Sequence, residues 1–383
     1  MSRIEADVAA LFQPLQVRGL TLPNRIVMSP MTRNFSLGGV PGPDVAAYYK
    51  RRAEGEVGLI ITEGTGVDHP SAIGEGGLGK RQSDIPLMYG EASLSGWRDV
   101  VEGVHAAGGL IVPQLWHMGV YRLSGTGPHP DAESIRPSGL WGPRGGHTSS
   151  SPEFIAKVIE PTAPPSDETI QDVVDAFSRS ADAAMSIGFD GLAVHGAHGY
   201  LIDTFFWHAT NQRTGRWGGD IRARVEFAYQ IVRALRRAAG PDKPVIFRYS
   251  QFKAQDYAAR IANTPEELRQ FLEPLAEAGV DVFDVSARHF DRPAFDDSTL
   301  SLAGWTRKLT RRTTMAVGGI GLTRDGEIVT DYNLHRVVAR FENGEFDLIA
   351  VGRSLLNDAN WVRKVRNGEP FLPFTTAAFD TLI

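Results

Sequence analysis

Short apolar runs alternate with amphipathic stretches along most of this chain. The runs cover Ile26–Met28, Val57–Thr62, Leu110–Leu115, Gly191–Val194, Val245–Arg248, Val280–Val285, Thr313–Val317 and Phe346–Val351. Each is too short for a helix that buries itself on all sides, and each is bounded by Gly, Pro or polar residues, so each reads as a buried strand. Between them apolar residues recur at helical spacing: Leu94, Trp97, Val100, Val101 and Val104, then Val173, Val174, Phe177, Ala181 and Ala184. The same spacing returns at Val225, Phe227, Ile231, Val232 and Leu235, and at Leu334, Val337, Val338 and Phe341. Asp44 is placed to cap a helix running through Ala53. Thr264-Pro265-Glu266-Glu267 reads as a capping box with proline at the first helical position. Strands separated by helices pair in parallel. Eight such units in one chain predict a closed α/β fold, a single (β/α)8 TIM barrel with a long insertion after strand 3. A doubly wound open sheet is the alternative, but the segment after the first strand, "SPMTRNFSLGGV", is not a dinucleotide-binding glycine fingerprint.

The insertion, 118–165, is rich in Gly, Pro, Ser and His and reads as a long irregular segment or lid. No linker divides residues 1–383, so one domain is expected. The net charge of −5 recruits neither nucleic acid nor an anionic membrane surface. No run is long and apolar enough to span a bilayer, and the first residues lack a basic-then-apolar export pattern; a cytoplasmic location is the default expectation. A homo-oligomer is compatible with all of this. There is no cysteine, which excludes disulfides, a thiolate nucleophile and an iron–sulfur cluster on cysteine ligands.

Polar residues gather just after the apolar runs: "SPMTR", "EGT", "QLWH", "HGAHGY", "RYSQFK", "GGIG" and "GRS" in chain order. In a (β/α)8 barrel those positions form the active-site face. The glycines of "GGIG" and "GRS" follow the last two strands, where backbone N–H groups can cradle a phosphate and Arg353 can add a charged fork. Gln114 can both donate to and accept from a planar heterocycle. Arg248 needs an anion; a barrel-mouth acid such as Glu63 would serve as well as a ligand. Together they outline a ring with a phosphate tail, the shape of flavin mononucleotide (FMN). The densest cluster is His195, His198 and Tyr200. It could be a zinc site completed by Asp203, or buried polar groups satisfied by their surroundings, or a catalytic trio.

The segments "LFQPLQVRGLTLPNRIVMSPMTR", "IITEGT", "QLWH", "GFDGLAVHGAHGYLIDTFF", "NQRTGRWGG" and "AVGRSLLNDANW" resemble the old yellow enzyme family of FMN oxidoreductases, in order, from Leu11 to about Trp361. The resemblance implies a barrel with FMN as cofactor, NADH or NADPH as hydride donor, and reduction of an activated C=C bond in a ping-pong cycle. It assigns Thr32 to the flavin ring, Ser29, Pro30, Met31 and Gly64 to backbone and packing contacts, and Gln114 to the pyrimidine edge. It assigns Arg248 to the region of N1 and the ribityl chain, and Gly319, Gly352 and Arg353 to the phosphate. His195 and His198 would bind the substrate's activating oxygen, and Tyr200 would donate a proton. Trp116 is a candidate wall of the substrate pocket, and so are Phe252, Tyr257, Phe290 and Phe295, from the segments "RYSQFKAQDY" and "SARHFDRPAFDDSTLSLAGW" that suggest a subgroup of their own; ordinary packing explains these four at least as well. An FMN-dependent amine demethylase or dehydrogenase without an iron–sulfur cluster is the second activity the resemblance allows. Gly215, Trp217, Ala223 and Val120 depart from the family's usual residues, which weakens assignment to a subgroup.

Overall fold

The computed structural model describes residues 7–76, 84–146, 148, 150–322, 333–373 and 375–383. The first two strands, β1 (Leu15–Val17) and β2 (Leu20–Leu22), form an antiparallel hairpin. The next eight are β3 (Ile26–Met28), β4 (Leu59–Gly66), β5 (Ile111–Trp116), β6 (Leu192–His195), β7 (Val245–Ser250), β8 (Val282–Ser286), β9 (Thr313–Val317) and β10 (Leu348–Val351). They pair in parallel, each with the next, and β10 closes onto β3. All eight expected strands are present, and the open-sheet alternative is excluded by the closure.

Side chains alternate across a strand, so every second residue faces the barrel interior. The lower interior is apolar: Val27, Leu59, Ile61, Val112, Ala193, Ile246, Val282, Met315 and Leu348 form one cluster. Val17 and Leu22 of the hairpin belong to the same cluster and close the end at which the strands begin. The hairpin was not read from the sequence. Its turn is pinned there by Arg18, whose Nε lies 2.5 Å from Asp281, and by the Gly19 N–H on Asp242 O at 2.8 Å. Two residues further along the same strands, the interior row turns polar: Gln114, His195, Arg248 and Asp284. One parity thus runs from a hydrophobic plug to a charged mouth.

The outer layer contains α1 (Pro43–Glu54), α2 (Glu91–Ala106), α3 (Pro152–Val158), α4 (Asp167–Ser186), α5 (Leu201–Phe206), α6 (Glu226–Ala239), α7 (Pro265–Ala278), α8 (Leu302–Thr310), α9 (Leu334–Glu342), α10 (Arg353–Asn357) and α11 (Trp361–Asn367). The Thr264 side chain accepts from the Glu267 N–H at 3.1 Å, with Pro265 in the first turn, as expected. Asp44 is not the cap of α1. Gly42 occupies that position, Pro43 starts the helix, and the Asp44 carboxylate accepts from the Val45 N–H inside the first turn.

The insertion 118–165 is not irregular throughout. It contains a 3-10 turn, Gly119–Tyr121, and α3. Its organising residue is Arg122, whose fully buried guanidinium donates to the carbonyls of Ile73, Thr126, His129 and Ala132. Tyr121, Trp141 and Phe154 pack together beneath it. His147 and Ser149 fall outside the described residues.

Candidate active site

The polar mouth opens into a cavity of about 140 Å³ lined by Pro30, Thr32, Gly64, Gln114, Trp116, His195, His198, Tyr200 and Arg248. These nine residues come from five separate stretches of chain, all at the C-terminal ends of strands. A bulge in β4 brings Gly64 opposite Gln114, because the pairing slips by one residue after Ile61 and Val112. A Cβ at position 64 would sit 2.6 Å from the Trp116 ring, so only glycine lets that indole lie across the strand end.

Arg248 lies between His195 and Asp284 in the strand register. Its Nε is 3.1 Å from Asp284 and its Nη2 donates to Ser29 Oγ at 2.8 Å. The partner acid is therefore Asp284, not Glu63. Glu63 instead turns toward the β3 loop, where Oε2 accepts from the Arg33 and Asn34 N–H groups at 2.7 and 3.3 Å. Burial pushes its carboxyl up to about 7, against those hydrogen bonds and the Arg33 charge. It thus braces the turn that carries Thr32.

His195 and His198 meet edge to face with ring centres 5.1 Å apart, and Tyr200 lies 4.9 Å from both His195 and Trp116. The Nδ1 of His195 accepts from the Ala197 N–H at 3.3 Å, leaving Nε2 to donate. The Nε2 of His198 is 2.8 Å from Ser286 Oγ, leaving Nδ1. Both imidazoles are held well below the ordinary value. Burial is the main cause, followed by His198 and Arg248 for His195, and by Arg248 and Lys253 for His198. They are neutral donors at neutral pH. Burial moves the Tyr200 phenol the other way, above its ordinary value, so it keeps its proton.

A histidine whose folded pKa is depressed binds fewer protons than it does unfolded once the pH drops below about 6.5. Stability present above that value is therefore lost as the pH falls toward the folded pKa. Replacing both histidines with glutamine is expected to flatten the acid limb of urea stability below about pH 6.5. An unchanged limb in that titration would mean the imidazoles are not held neutral.

The remaining expected residues surround this cavity without lining it. Ser29 sits behind Arg248, and Met31 Sδ is 3.4 Å from where a Cβ on Gly352 would be. Phe252 stacks on His198 with centres 5.2 Å apart, beside Tyr257 at 6.0 Å. Phe290 is elsewhere: its N–H donates to Gly318 O at 3.0 Å, behind the β9 loop. Phe295 packs edge-on against Trp305, away from the cavity. Gly319 takes φ of +71°, a left-handed conformation that leaves the loop backbone open, and Gly352 leads into α10, which begins at Arg353.

An FMN fits this set. Gln114 Nε2 is buried in the cavity wall with no hydrogen-bond partner among the described residues, and because it faces the cavity, a ligand there can complete it. Among the described residues no trio of acids and imidazoles is grouped to hold a metal ion. Asp203, the conceivable third zinc ligand, has both oxygens engaged, by Lys253 and by the Gly199 N–H. Sequence reasoning missed Asp284, Ser286, Ser250 and Lys253. Asp284 had a signal: it shares the interior parity of β8 with the buried Val282.

The sequence model of the NADH:flavin oxidoreductase / NADH oxidase family matches residues 10–371. The chain is 32% identical over 366 residues to the NADH oxidase of Thermoanaerobacter brockii, covering 94% of this chain and 51% of that protein. It thus spans about half the length of that relative. It is 30% identical to 12-oxophytodienoate reductase 2 of Arabidopsis thaliana, covering 97% of this chain and 92% of that one. A structure of morphinone reductase in complex with tetrahydroNAD superposes with a TM-score of 0.79 at 26% identity, over 97% of this chain and 94% of the other. FMN as cofactor and NADH or NADPH as hydride donor, both expected from the sequence, agree with these relatives. No helix among the described residues is long and apolar enough to cross a membrane. The chain belongs to the NADH:flavin oxidoreductase / NADH oxidase family, the flavin oxidoreductases of old yellow enzyme type.

Proposed function

We propose that this protein reduces activated C=C bonds, of enone or nitroalkene type, with hydride drawn from NADH or NADPH in a ping-pong cycle. The observation that carries this reading is the convergence of His195, His198 and Tyr200 on the cavity that also holds Thr32, Arg248 and the unpartnered Gln114. FMN, when bound, supplies the hydride that NAD(P)H has delivered to it. Thr32, Gln114 and Arg248 would hold its ring, with Ser29, Pro30, Met31 and Gly64 against it, and Gly319, Gly352 and Arg353 would receive its phosphate. Trp116 and Phe252 wall the substrate space, and Phe290 supports the phosphate loop from behind.

As the substrate's β-carbon gains hydride, negative charge grows on its carbonyl or nitro oxygen. The neutral imidazoles of His195 and His198 donate N–H bonds to that oxygen, each worth about 2.7–4 kcal/mol if typical of oxyanion donors. Tyr200 then gives its phenolic proton to the α-carbon as general acid, leaving a phenolate that water reprotonates. Amine oxidation would withdraw hydride from the substrate and build positive charge there, which two N–H donors do not stabilise. The test has two anaerobic arms: enzyme with pre-reduced flavin is mixed with enones and nitroalkenes and followed for flavin reoxidation, and enzyme with oxidised flavin is mixed with N-methyl amines and followed for flavin reduction. Rapid reoxidation by cyclohexenone is expected; turnover confined to the amine panel would replace this reading with the demethylase one.

A further inference from the structure

The proton donor and one oxyanion donor hang from an awkward turn. His198 has φ of +64° and Gly199 of +79°. A side chain in the left-handed region is strained, and such strain persists only where the surroundings over-determine it. Here they do. All four backbone polar groups of His198 and Gly199 are engaged. The His198 N–H donates to Ser250 Oγ at 3.0 Å, and its carbonyl accepts from the Ala254 N–H at 3.2 Å. The Gly199 carbonyl accepts from Gln255 Nε2 at 2.9 Å, and its N–H donates to Asp203 Oδ2 at 2.7 Å.

Three of those four partners lie on one segment, 250–255, and the fourth is tied to it by an ion pair. Lys253 Nζ is 2.5 Å from Asp203 Oδ1, and neither side chain is exposed at all. Lys253 also reaches Ser250 O at 3.3 Å. An unpaired carboxylate at this depth would take up a proton, and the strong charge-assisted bond to the Gly199 N–H would weaken with it. Even with Lys253 beside it, burial pushes the Asp203 carboxyl up to about 6. The pair is outside the cavity and takes no direct part in the chemistry described above, where Lys253 enters only through the charge that helps to keep His198 neutral.

We propose that Asp203 and Lys253 are positioning residues of the substrate half of the site, a buried ion pair that locks the His198–Gly199 turn and so aims His198 and Tyr200. The kinetic consequence rests on the ene-reduction reading; the structural one does not. Lys253 serves as the counter-ion that keeps Asp203 ionised, and Asp203 serves as the acceptor that holds Gly199. Neither touches substrate or flavin.

The test uses the full flavin-loaded chain in four forms: wild type, Lys253→Met, Lys253→Arg and the double variant Lys253→Met/Asp203→Asn. The first readout is the Gly199 amide resonance in protein labelled with ¹⁵N-glycine, followed from pH 6 to 9. In wild type it stays downfield and constant over about pH 7–9. In Lys253→Met it is expected to titrate within the range, moving downfield as the pH rises, because Asp203 has lost its counter-ion and ionises later. The double variant carries no buried charge and should not titrate. The second readout is stopped-flow reoxidation by cyclohexenone. Lys253→Met should lose about 10- to 100-fold at pH 7, the cost of a displaced catalytic group, and recover as the pH rises. Lys253→Arg and the double variant should each restore part of the rate with a flat profile. A Gly199 resonance that is unmoved in Lys253→Met, with reoxidation within threefold of wild type across the range, would overturn the proposal. Should Lys253→Met fail to fold, the double variant decides: restored folding with a flat profile supports the pair, whereas loss of the Gly199 amide position and rate equal to that of an unrelated buried substitution rejects it. If wild type is not reoxidised by any enone, the ene-reduction reading fails, and the amide titration still judges the pair.

Discussion

Tyr200→Phe should reduce flavin nearly as fast as the wild type with NADPH, yet reoxidise about 10²- to 10⁴-fold more slowly with cyclohexenone, the span usual for loss of a general acid. Only the hydroxyl is removed. The ring keeps its edge-on packing against Trp116 at 4.9 Å and its contact with Tyr121 at 5.0 Å, so the cavity wall is retained. The hydroxyl keeps its proton at neutral pH because burial raises the phenol's pKa. Hydride delivery to flavin needs no proton from this group, whereas alkene reduction needs one at the α-carbon. Stopped-flow measurement of the two half-reactions separates them. Equal losses in both would show that Tyr200 shapes the pocket and does not give the proton. A nitroalkene, whose carbanion is far more stable, should suffer less from the substitution than an enone.

Arg248→Met should be the most destabilising single change at the site. Arg248 and Asp284 are both buried, and methionine would strand the carboxylate, a loss typically of about 3–5 kcal/mol. Asp284 is already pushed above its ordinary value by burial, with Arg248 opposing that push. Once the guanidinium is gone the acid is protonated in the folded state, so the urea midpoint should improve as the pH falls from 8 to 6, opposite to the wild-type histidine effect. The double variant Arg248→Met/Asp284→Asn should regain most of the stability, since no buried charge remains. It should not regain flavin if Arg248 is, as proposed, the cation that faces the ring. A double variant that binds FMN normally, by its visible absorbance after gel filtration, would remove Arg248 from the cofactor site.

These two experiments probe features of different visibility in the amino-acid sequence. Tyr200 was legible: "HGAHGY" follows an apolar strand, and chemistry at a strand end is conspicuous in a barrel. Arg248 was legible as a cation at a strand end, but its counter-ion was not. Glu63 and Asp284 are each an acid near the end of an apolar run, and nothing local distinguishes them. The barrel distinguishes them through register: Arg248 pairs with Asp284 across β7 and β8, whereas Glu63 sits at the β4 bulge and turns toward the Arg33 backbone. The hairpin at the barrel floor was missed for a similar reason. Leu15–Leu22 is only a few residues per strand, and its apolar side chains acquire a role only when Val17 and Leu22 find the open end of the barrel.

The alternation of strands and helices, the eightfold count and the gathering of polar residues at strand ends are local properties. They follow from periodicity, capping and turn chemistry within windows of ten to twenty residues, so they survive without any knowledge of neighbours. The destination of each charge is not local. His195, His198 and Tyr200 are kept near one another by lying within six residues of chain, but what makes the two imidazoles neutral donors is burial beside Arg248 and Lys253, from another strand and its loop. The left-handed turn at His198 is held by Ser250 and Gln255 through bonds spanning 52 and 56 residues of chain, and by Asp203, four residues beyond Gly199, which Lys253 of the same distant segment pairs. Pairing across strands depends on which residue stands opposite which, and a shift of one position would exchange every inward side chain for an outward one. Barrel closure settles that register, and with it which acid faces Arg248 and which loop carries the lysine that pairs with Asp203.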